Sequence, residues 1–368
     1  MIYLDHGATS YPKPPQVARA MGWALQNCAN PGRGGHRLAM AAAERVLSCR
    51  NQAADLFRCS PEQVVFTGNC TQGLNMAIHT LVKPGSRVVV SGFEHNAVTR
   101  PLYARDARIT VAGRRLFDWA DTLEEWEQAL KKGADCAVFT HCSNVFGYIL
   151  PVEQIAALCR HYGVPFIVDA AQSAGVLPVS LNDWGADFIA MPGHKGLLGP
   201  QGTGILLCAR PPAPLISGGT GSLSAQQNMP DFLPDAGEAG TVNVPGIAGL
   251  EMGLRYVKAR GTERILRRET AQAKQLIKAL EKLGVCVFAG EHQSGTVSFV
   301  SQMDCEELGE LLSAEGICVR AGLHCAPLAH ESAGTINTGT VRVSFGHDAS
   351  DLQRENLLKI LEKYKSKL

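Results

Sequence analysis

The chain predicts an α/β fold, a mostly parallel sheet with helices on both faces, followed by a smaller α+β C-terminal domain. Three observations carry this. Between residues 36 and 210, short apolar runs alternate with segments of helical periodicity, as in successive βα units. The runs are apolar throughout and bounded by Gly, Pro or polar turns, which suits strands covered on both faces. Beyond residue 283 the character changes to spaced strands and shorter helices.

In chain order, residues 36–57 carry apolar positions at helical spacing, 63–67 read as a strand and about 72–82 as a helix. The runs 87–91, 136–140, 166–168, 188–190 and 204–208 read as buried strands, with 153–162 the helix between two of them. Residues 211–246 are rich in Gly, Pro and Ser and read as a functional loop leading into one long helix, 246–283. Strands at 295–300, 317–320 and 341–345 and helices at 305–315 and 351–365 complete the C-terminal part, and the domain boundary is expected within the long helix.

The 368 residues can bury a large core in two domains, and 45% hydrophobic with 19% charged residues is ordinary for a globular protein. With 35 basic against 34 acidic side chains there is no broad field to attract nucleic acid or an anionic membrane. No apolar run reaches the roughly 18 residues of a membrane span. The N-terminus lacks the cationic and apolar segments of a signal peptide. Twelve cysteines are scattered without a metal-ligand doublet, so a reduced, cytoplasmic setting and no metal are expected.

Ligands of parallel sheets bind at the carboxyl ends of the strands. Here five such ends are polar: Thr67 to Gln72, Glu94 and His95, His141 to Asn144, Asp169, and Lys195 in Ala-Met-Pro-Gly-His-Lys-Gly (190–196). A glycine-flanked lysine just after an apolar strand is an unusual setting for a surface charge. Paired with an acid at a neighbouring strand end, it is what pyridoxal phosphate (PLP) chemistry needs. The lysine holds the aldehyde as a Schiff base and the acid keeps the pyridine nitrogen protonated, with its own pKa depressed by that charge. The turn before 72 could cap its helix or cradle a phosphate at the helix N-terminus. His95 could be a core histidine or stack on the ring, and at an ordinary pKa of about 6.5 it could also move protons. Arg342, on an alternating strand, is either a solvent-face residue or a bidentate clamp for a carboxylate. Cys325 lies in a Gly- and Pro-bounded loop beside His324 and near Arg320, where positive charge would favour the nucleophilic thiolate.

Several stretches, taken together, resemble one family. They are Tyr-Leu-Asp-His-Gly-Ala-Thr (3–9), Asn-Pro-Gly-Arg-Gly-Gly-His (30–36), Glu-His-Asn (94–96) and Ser-Asn-Val-Phe-Gly-Tyr-Ile-Leu-Pro (143–151). Val-Asp-Ala-Ala-Gln-Ser (168–173), Gly-His-Lys-Gly (193–196), Glu-Ala-Gly-Thr-Val-Asn (238–243) and Arg-Ala-Gly-Leu-His-Cys (320–325) follow. In this order they are similar to class V aminotransferase-like PLP enzymes, specifically cysteine desulfurases and selenocysteine lyases of the branch with a short, ordered cysteine loop. The resemblance covers nearly the whole chain. It implies a fold-type I PLP enzyme with a seven-stranded sheet. The implied division is residues 1–15 packing with the small domain, 16–250 as the PLP-binding domain, and 251–368 as the small domain carrying the cysteine loop.

The same resemblance implies the roles. Lys195 anchors the cofactor and moves the Cα proton, Asp169 pairs with the pyridinium, His95 stacks on the ring, and Gln172 contacts the phenolic oxygen. Cys70 through its backbone, Thr71 and His194 bind phosphate, and the residue matching Thr241 reaches it from a neighbouring subunit, implying a homodimer with Gly218–Gly221 at the interface. Arg342, Asn144 and Ala8 face the substrate, L-cysteine or L-selenocysteine. Cys325 takes the sulfur as a persulfide for an acceptor protein or thiol, leaving alanine. A β-lyase or transaminase of the same fold would keep Lys195 and Asp169 without needing Cys325, and a non-catalytic scaffold would need none of them. Three positions depart from the family pattern: Pro192 for a serine, Cys70 for Gly or Thr, and His6-Gly7 for Asn-Ala.

Overall fold

The computed structural model describes residues 1–32 and 34–368, so Arg33 of the 30–36 motif lies outside the described residues. Thirteen strands and twelve helices are found among them. The chain begins with β1 (Ile2–Tyr3), α1 (Pro15–Asn27), α2 (Arg37–Phe57), β2 (Val64–Thr67), α3 (Cys70–Leu81), β3 (Arg87–Ser91), α4 (Asn96–Ala104), β4 (Arg108–Ala112) and α5 (Trp119–Lys131). It continues with β5 (Cys136–Thr140), α6 (Val152–Tyr162), β6 (Phe166–Asp169), α7 (Leu181–Trp184), β7 (Phe188–Pro192), β8 (Gly204–Cys208), α8 (Val244–Arg260) and α9 (Thr262–Leu283). Last come β9 (Cys286–Phe288), β10 (Thr296–Val300), α10 (Cys305–Ala314), β11 (Ile317–Cys318), β12 (Arg320–Gly322), α11 (Pro327–Ala333), β13 (Thr340–Ser344) and α12 (Asp351–Lys363).

The large sheet has seven strands in the order β2-β8-β7-β6-β5-β3-β4. Only β8 runs against its neighbours; every other pairing is parallel. Strands β2, β5, β6, β7 and β8 are buried at every residue. Helices cover both faces, and an apolar cluster lies on each, one around Phe139, Phe166 and Trp126 and the other around Leu74, Val88 and Ile167. The reversed β8 explains how a mostly parallel sheet places β2 beside it without a further crossover.

A four-stranded antiparallel sheet, β12-β13-β10-β9, carries its own core of Val297, Phe299, Val341, Val343, Leu276, Leu308 and Leu357. The first residues of the chain join it. β1 pairs parallel with β11, with Ile2 opposite Ile317 and Tyr3 opposite Cys318, and Leu4 sits in the same core.

Two expectations need correction. The single helix 246–283 is two helices, because Gly261 (φ +78°) ends α8 and opens α9. The strand at 317–320 is two short strands, β11 and β12, in different sheets. The sequence reading also missed α1, α4, β4, α5, β9 and α11. β4 is half-exposed at the sheet edge, so it lacks the fully apolar signature of its neighbours.

Candidate active site

All five polar strand ends line one cavity of about 100 Å³. Asn69, Cys70 and Thr71 follow β2, His95 follows β3, Thr140, Cys142 and Asn144 come with β5, Asp169, Ala171 and Gln172 with β6, and Pro192, His194 and Lys195 with β7. Parallel strands with matched registers leave their carboxyl ends on one edge, so the convergence follows from the topology.

The buried Asp169 carboxylate is fixed by one oxygen. Its Oδ1 accepts from the Ala171 N–H at 2.8 Å and from Cys70 Sγ at 3.7 Å, while Oδ2 has no hydrogen bond among the described residues. The thiol contact adds a side-chain role to Cys70, which the sequence had read through its backbone alone. Burial pushes Asp169 above the usual carboxylate range, against the pull of the Ala171 N–H, Lys195 and Cys70. The depressed pKa expected from sequence is therefore not a property of the protein groups alone; a further cation at Oδ2 is what would lower it. Lys195 also makes no hydrogen bond through its amine among the described residues. Burial, aided by Arg342 and Arg320, holds it below the usual lysine range, although Asp169 opposes this.

Asn69 caps α3 by accepting from the Gln72 N–H at 2.8 Å, leaving the N–H groups of Cys70 and Thr71 without partners among the described residues. Two such donors at the positive end of a twelve-residue helix form an anion cradle. An acid, a free amine and an anion cradle on one cavity fit PLP: Lys195 for the aldehyde, Asp169 for the ring nitrogen, Cys70 and Thr71 for the phosphate.

His95 caps α4, its Nδ1 accepting from the Ala97 N–H at 3.0 Å, so the ring proton sits on Nε2. Burial first, then Lys195, Arg320 and Arg100, pushes its pKa down to about 4. That lies below the ordinary value of about 6.5 assumed from sequence, so the ring is neutral near pH 7. Gln172 donates to Gly7 O at 3.0 Å. His194 offers its ring to Thr9 Oγ1 at 3.1 Å, and its carbonyl accepts from Ser10 N and Oγ, Thr9 Oγ1 and Lys13 Nζ. This N-terminal strap, missed in the sequence reading, pins the residue next to Lys195.

Arg342 is 1% exposed; its guanidinium donates to Asp5 Oδ1 at 2.6 Å and to Asn144 O at 3.0 Å, while Nε is buried without a partner. Asp5 was not singled out from sequence, yet it holds the cation that was. Ala8 donates to Asp5 O in the same turn and does not line the cavity.

The cysteine loop is tied at three points. Asn96 N–H donates to Cys325 O at 2.8 Å, Asn144 Nδ2 donates to His324 O at 2.8 Å, and His324 Nε2 meets Thr340 O and Oγ1, both at 3.1 Å. His324 (φ +50°) and Cys325 (φ +58°) both adopt the left-handed region, which costs a non-glycine residue about 1 kcal/mol or more. The strain turns Cys325 Sγ outward, exposed, 3.7 Å from an Arg320 nitrogen. His324 is buried and held far below its ordinary pKa, so the charge beside the thiol comes from Arg320 and not, as the sequence suggested, from His324 as well. Cys325 shares an open groove with Thr71, His95 and Arg100, adjoining the Lys195 cavity.

Thr241 is exposed and lies elsewhere. With Asn30, Gly32, Gly219 to Gly221 and Gly240 it lines a separate groove of about 460 Å³, which gathers three of the sequence motifs left over from the main cavity.

Comparison with known proteins gives one answer. Residues 2–356 match the aminotransferase class-V family. The chain is 32% identical over 357 residues to a probable cysteine desulfurase of Methanothermobacter thermautotrophicus, covering 91% of this chain and 88% of that one. A probable cysteine desulfurase of Pyrococcus abyssi is 32% identical over 380 residues, covering 98% and 94%. The apo structure of a cysteine desulfurase from Thermococcus onnurineus NA1 superposes with a TM-score of 0.91 at 31% identity, covering 100% of this chain and 95% of that one. The chain belongs to the aminotransferase class-V family.

Proposed function

We propose that this chain is a PLP-dependent cysteine desulfurase. It breaks the C–S bond of L-cysteine, forms an S–S bond on Cys325 and releases the carbon skeleton as L-alanine. The observation that carries this reading is the placement of an exposed, strained cysteine beside Arg320, in a groove adjoining the Lys195–Asp169 cavity. A transaminase or β-lyase has no use for that residue.

PLP bound in the cavity would supply an electron sink beside the substrate's Cα. The chain's own groups do the rest. Lys195 holds the aldehyde and, with its amine kept below the usual range, accepts and returns a proton at Nζ. Asp169 Oδ2 is the acid for the ring nitrogen. The Cys70 and Thr71 N–H groups, the Thr71 hydroxyl and His194 hold the phosphate, and Gln172 holds the phenolic oxygen. Neutral His95, whose ring lines the cavity, would offer the cofactor ring an apolar face with one N–H. Arg342, with a free Nε and with Asn144 at its side, takes the substrate carboxylate, while Ala8, outside the cavity lining, is left without a direct contact in this reading.

The Arg320 guanidinium stabilises negative charge on Cys325 Sγ as the thiolate meets the substrate sulfur. Because Sγ is exposed, the persulfide can be handed to an acceptor protein or small thiol without unfolding the loop. Thr241 serves the phosphate of a second copy of the chain, so the active form is a homodimer. Its exposure and its groove shared with the 30–32 and 219–221 loops support that.

The test is alanine release from L-cysteine, with and without a thiol reductant. The wild type makes alanine, and the Cys325→Ser variant loses sulfur transfer while keeping the visible absorption of bound PLP. Full-rate alanine production by Cys325→Ser would overturn the persulfide step.

A further inference from the structure

His6 is one of the departures from the family pattern, and the main site gives it no task. It is 7% exposed, and its Nδ1 is buried without a hydrogen-bond partner among the described residues. Its Nε2 lies 3.6 Å from Asp348 Oδ1, which is itself buried without a hydrogen-bond partner, as is His347 Nδ1. One ligand atom each from His6, His347 and Asp348 fall within 4.8 Å of one another. Beside them is a small cavity of about 50 Å³ lined by His6, His347, Ser10 and Glu269, which reaches Gln172 and Lys195 of the main site on its other side. Glu269 is 7% exposed, and its carboxyl has no hydrogen-bond or ion-pair partner among the described residues.

Three buried atoms without a hydrogen bond at one spot, His6 Nδ1, His347 Nδ1 and Asp348 Oδ1, cost stability unless something satisfies them. We propose that His6, His347 and Asp348 form a binding site for a divalent cation of the Zn²⁺ class. Two imidazoles and one carboxylate favour a borderline ion over Mg²⁺ or Ca²⁺, which take oxygen ligands. At metal–ligand bonds of about 2.0–2.1 Å, tetrahedral ligands sit roughly 3.4 Å apart. His6 and Asp348 are nearly at that separation already, and small side-chain rotations bring in the third atom. The cavity has room for a water in the fourth position, with Glu269 on its wall as the acceptor for that water.

The site has a structural consequence. His6 belongs to the strap whose Thr9, Ser10 and Lys13 grip the carbonyl of His194, whereas His347 and Asp348 follow β13 of the small sheet. An ion here fastens the strap to that sheet and stabilises the folded chain by mass action.

The test uses the full-length protein as purified, stripped with a chelator and with its exposed thiols alkylated, so that cysteines cannot capture the metal. Titration with Zn²⁺ by calorimetry should give one bound equivalent and a rise in melting temperature. His347→Ala and the near-isosteric Asp348→Asn should bind at least about tenfold more weakly and show no rise, with circular dichroism confirming that both are folded. Wild type that takes up no Zn²⁺ after alkylation, or folded variants that bind it as tightly as wild type, would overturn the proposal.

Discussion

The ion pair between Arg342 and Asp5 offers a perturbation whose size can be worked out. Arg342 is 1% exposed and Asp5 19%, and the bond between them is 2.6 Å. In Asp5→Asn the guanidinium keeps Asn144 O, a neutral acceptor, and loses the one anion that pairs with it among the described residues. Removing one partner of a buried pair costs about 3–5 kcal/mol, because the other charge is left uncompensated. Water can reach Asp5, which favours the lower end, about 3 kcal/mol. For a chain of 368 residues that lowers the melting temperature by roughly 4 °C. Scanning calorimetry of Asp5→Asn, Arg342→Met and the double variant measures it. The double variant should be markedly more stable than the two single losses added together, since both charges are gone. Additive losses, or Asp5→Asn melting within a degree or two of wild type, would refute the description of this pair as a buried cation that depends on its anion.

Three further outcomes follow from other parts of the structure. His95 titrates at about 4, so the pH dependence of kcat between about pH 5.5 and 8 should show no inflection that disappears in His95→Gln. A His95-dependent inflection near 6.5 would contradict the burial argument. Glu94 is fully buried, with Oε1 accepting from Ser91 Oγ at 2.5 Å and Thr140 N at 2.8 Å and Oε2 unpaired, and burial raises it from 4.5 to about 8. The folded state therefore holds a proton that the unfolded state has released, and stability falls as pH rises from 4.5 to about 8. Glu94→Gln should remove that fall, so denaturant midpoints of the two proteins converge at acid pH and separate at alkaline pH. Finally, a Cβ on Gly253 of α8 would lie 2.2 Å from Leu197 O, two residues from Lys195. Gly253→Ala should destabilise by about 1–3 kcal/mol through overpacking and weaken PLP retention, read from melting and visible absorption.

Much of this was legible in the sequence because strand ends of a parallel sheet must converge. Once the runs before Gly68, Glu94, His141, Asp169 and Lys195 were read as strands, their shared cavity followed. The partners were not legible. Asp5 reaches Arg342 across more than three hundred residues, and four donors at Thr9, Ser10 and Lys13 reach the His194 carbonyl through a strap that has no periodicity. Protonation was misread for a related reason. Whether His95 and His324 carry charge depends on burial, and only the packed structure sets that. The break between α8 and α9 at Gly261 was not legible, because sequence alone does not give its φ.

The central claim is that sulfur leaves L-cysteine onto Cys325. The direct measurement is mass spectrometry of the peptide carrying Cys325 after a brief reaction with L-cysteine without reductant, quenched by an alkylating agent. The account predicts that this peptide gains one sulfur atom in step with the alanine formed, and that no other cysteine peptide does. Alanine accumulating while the Cys325 peptide keeps its unmodified mass would contradict it.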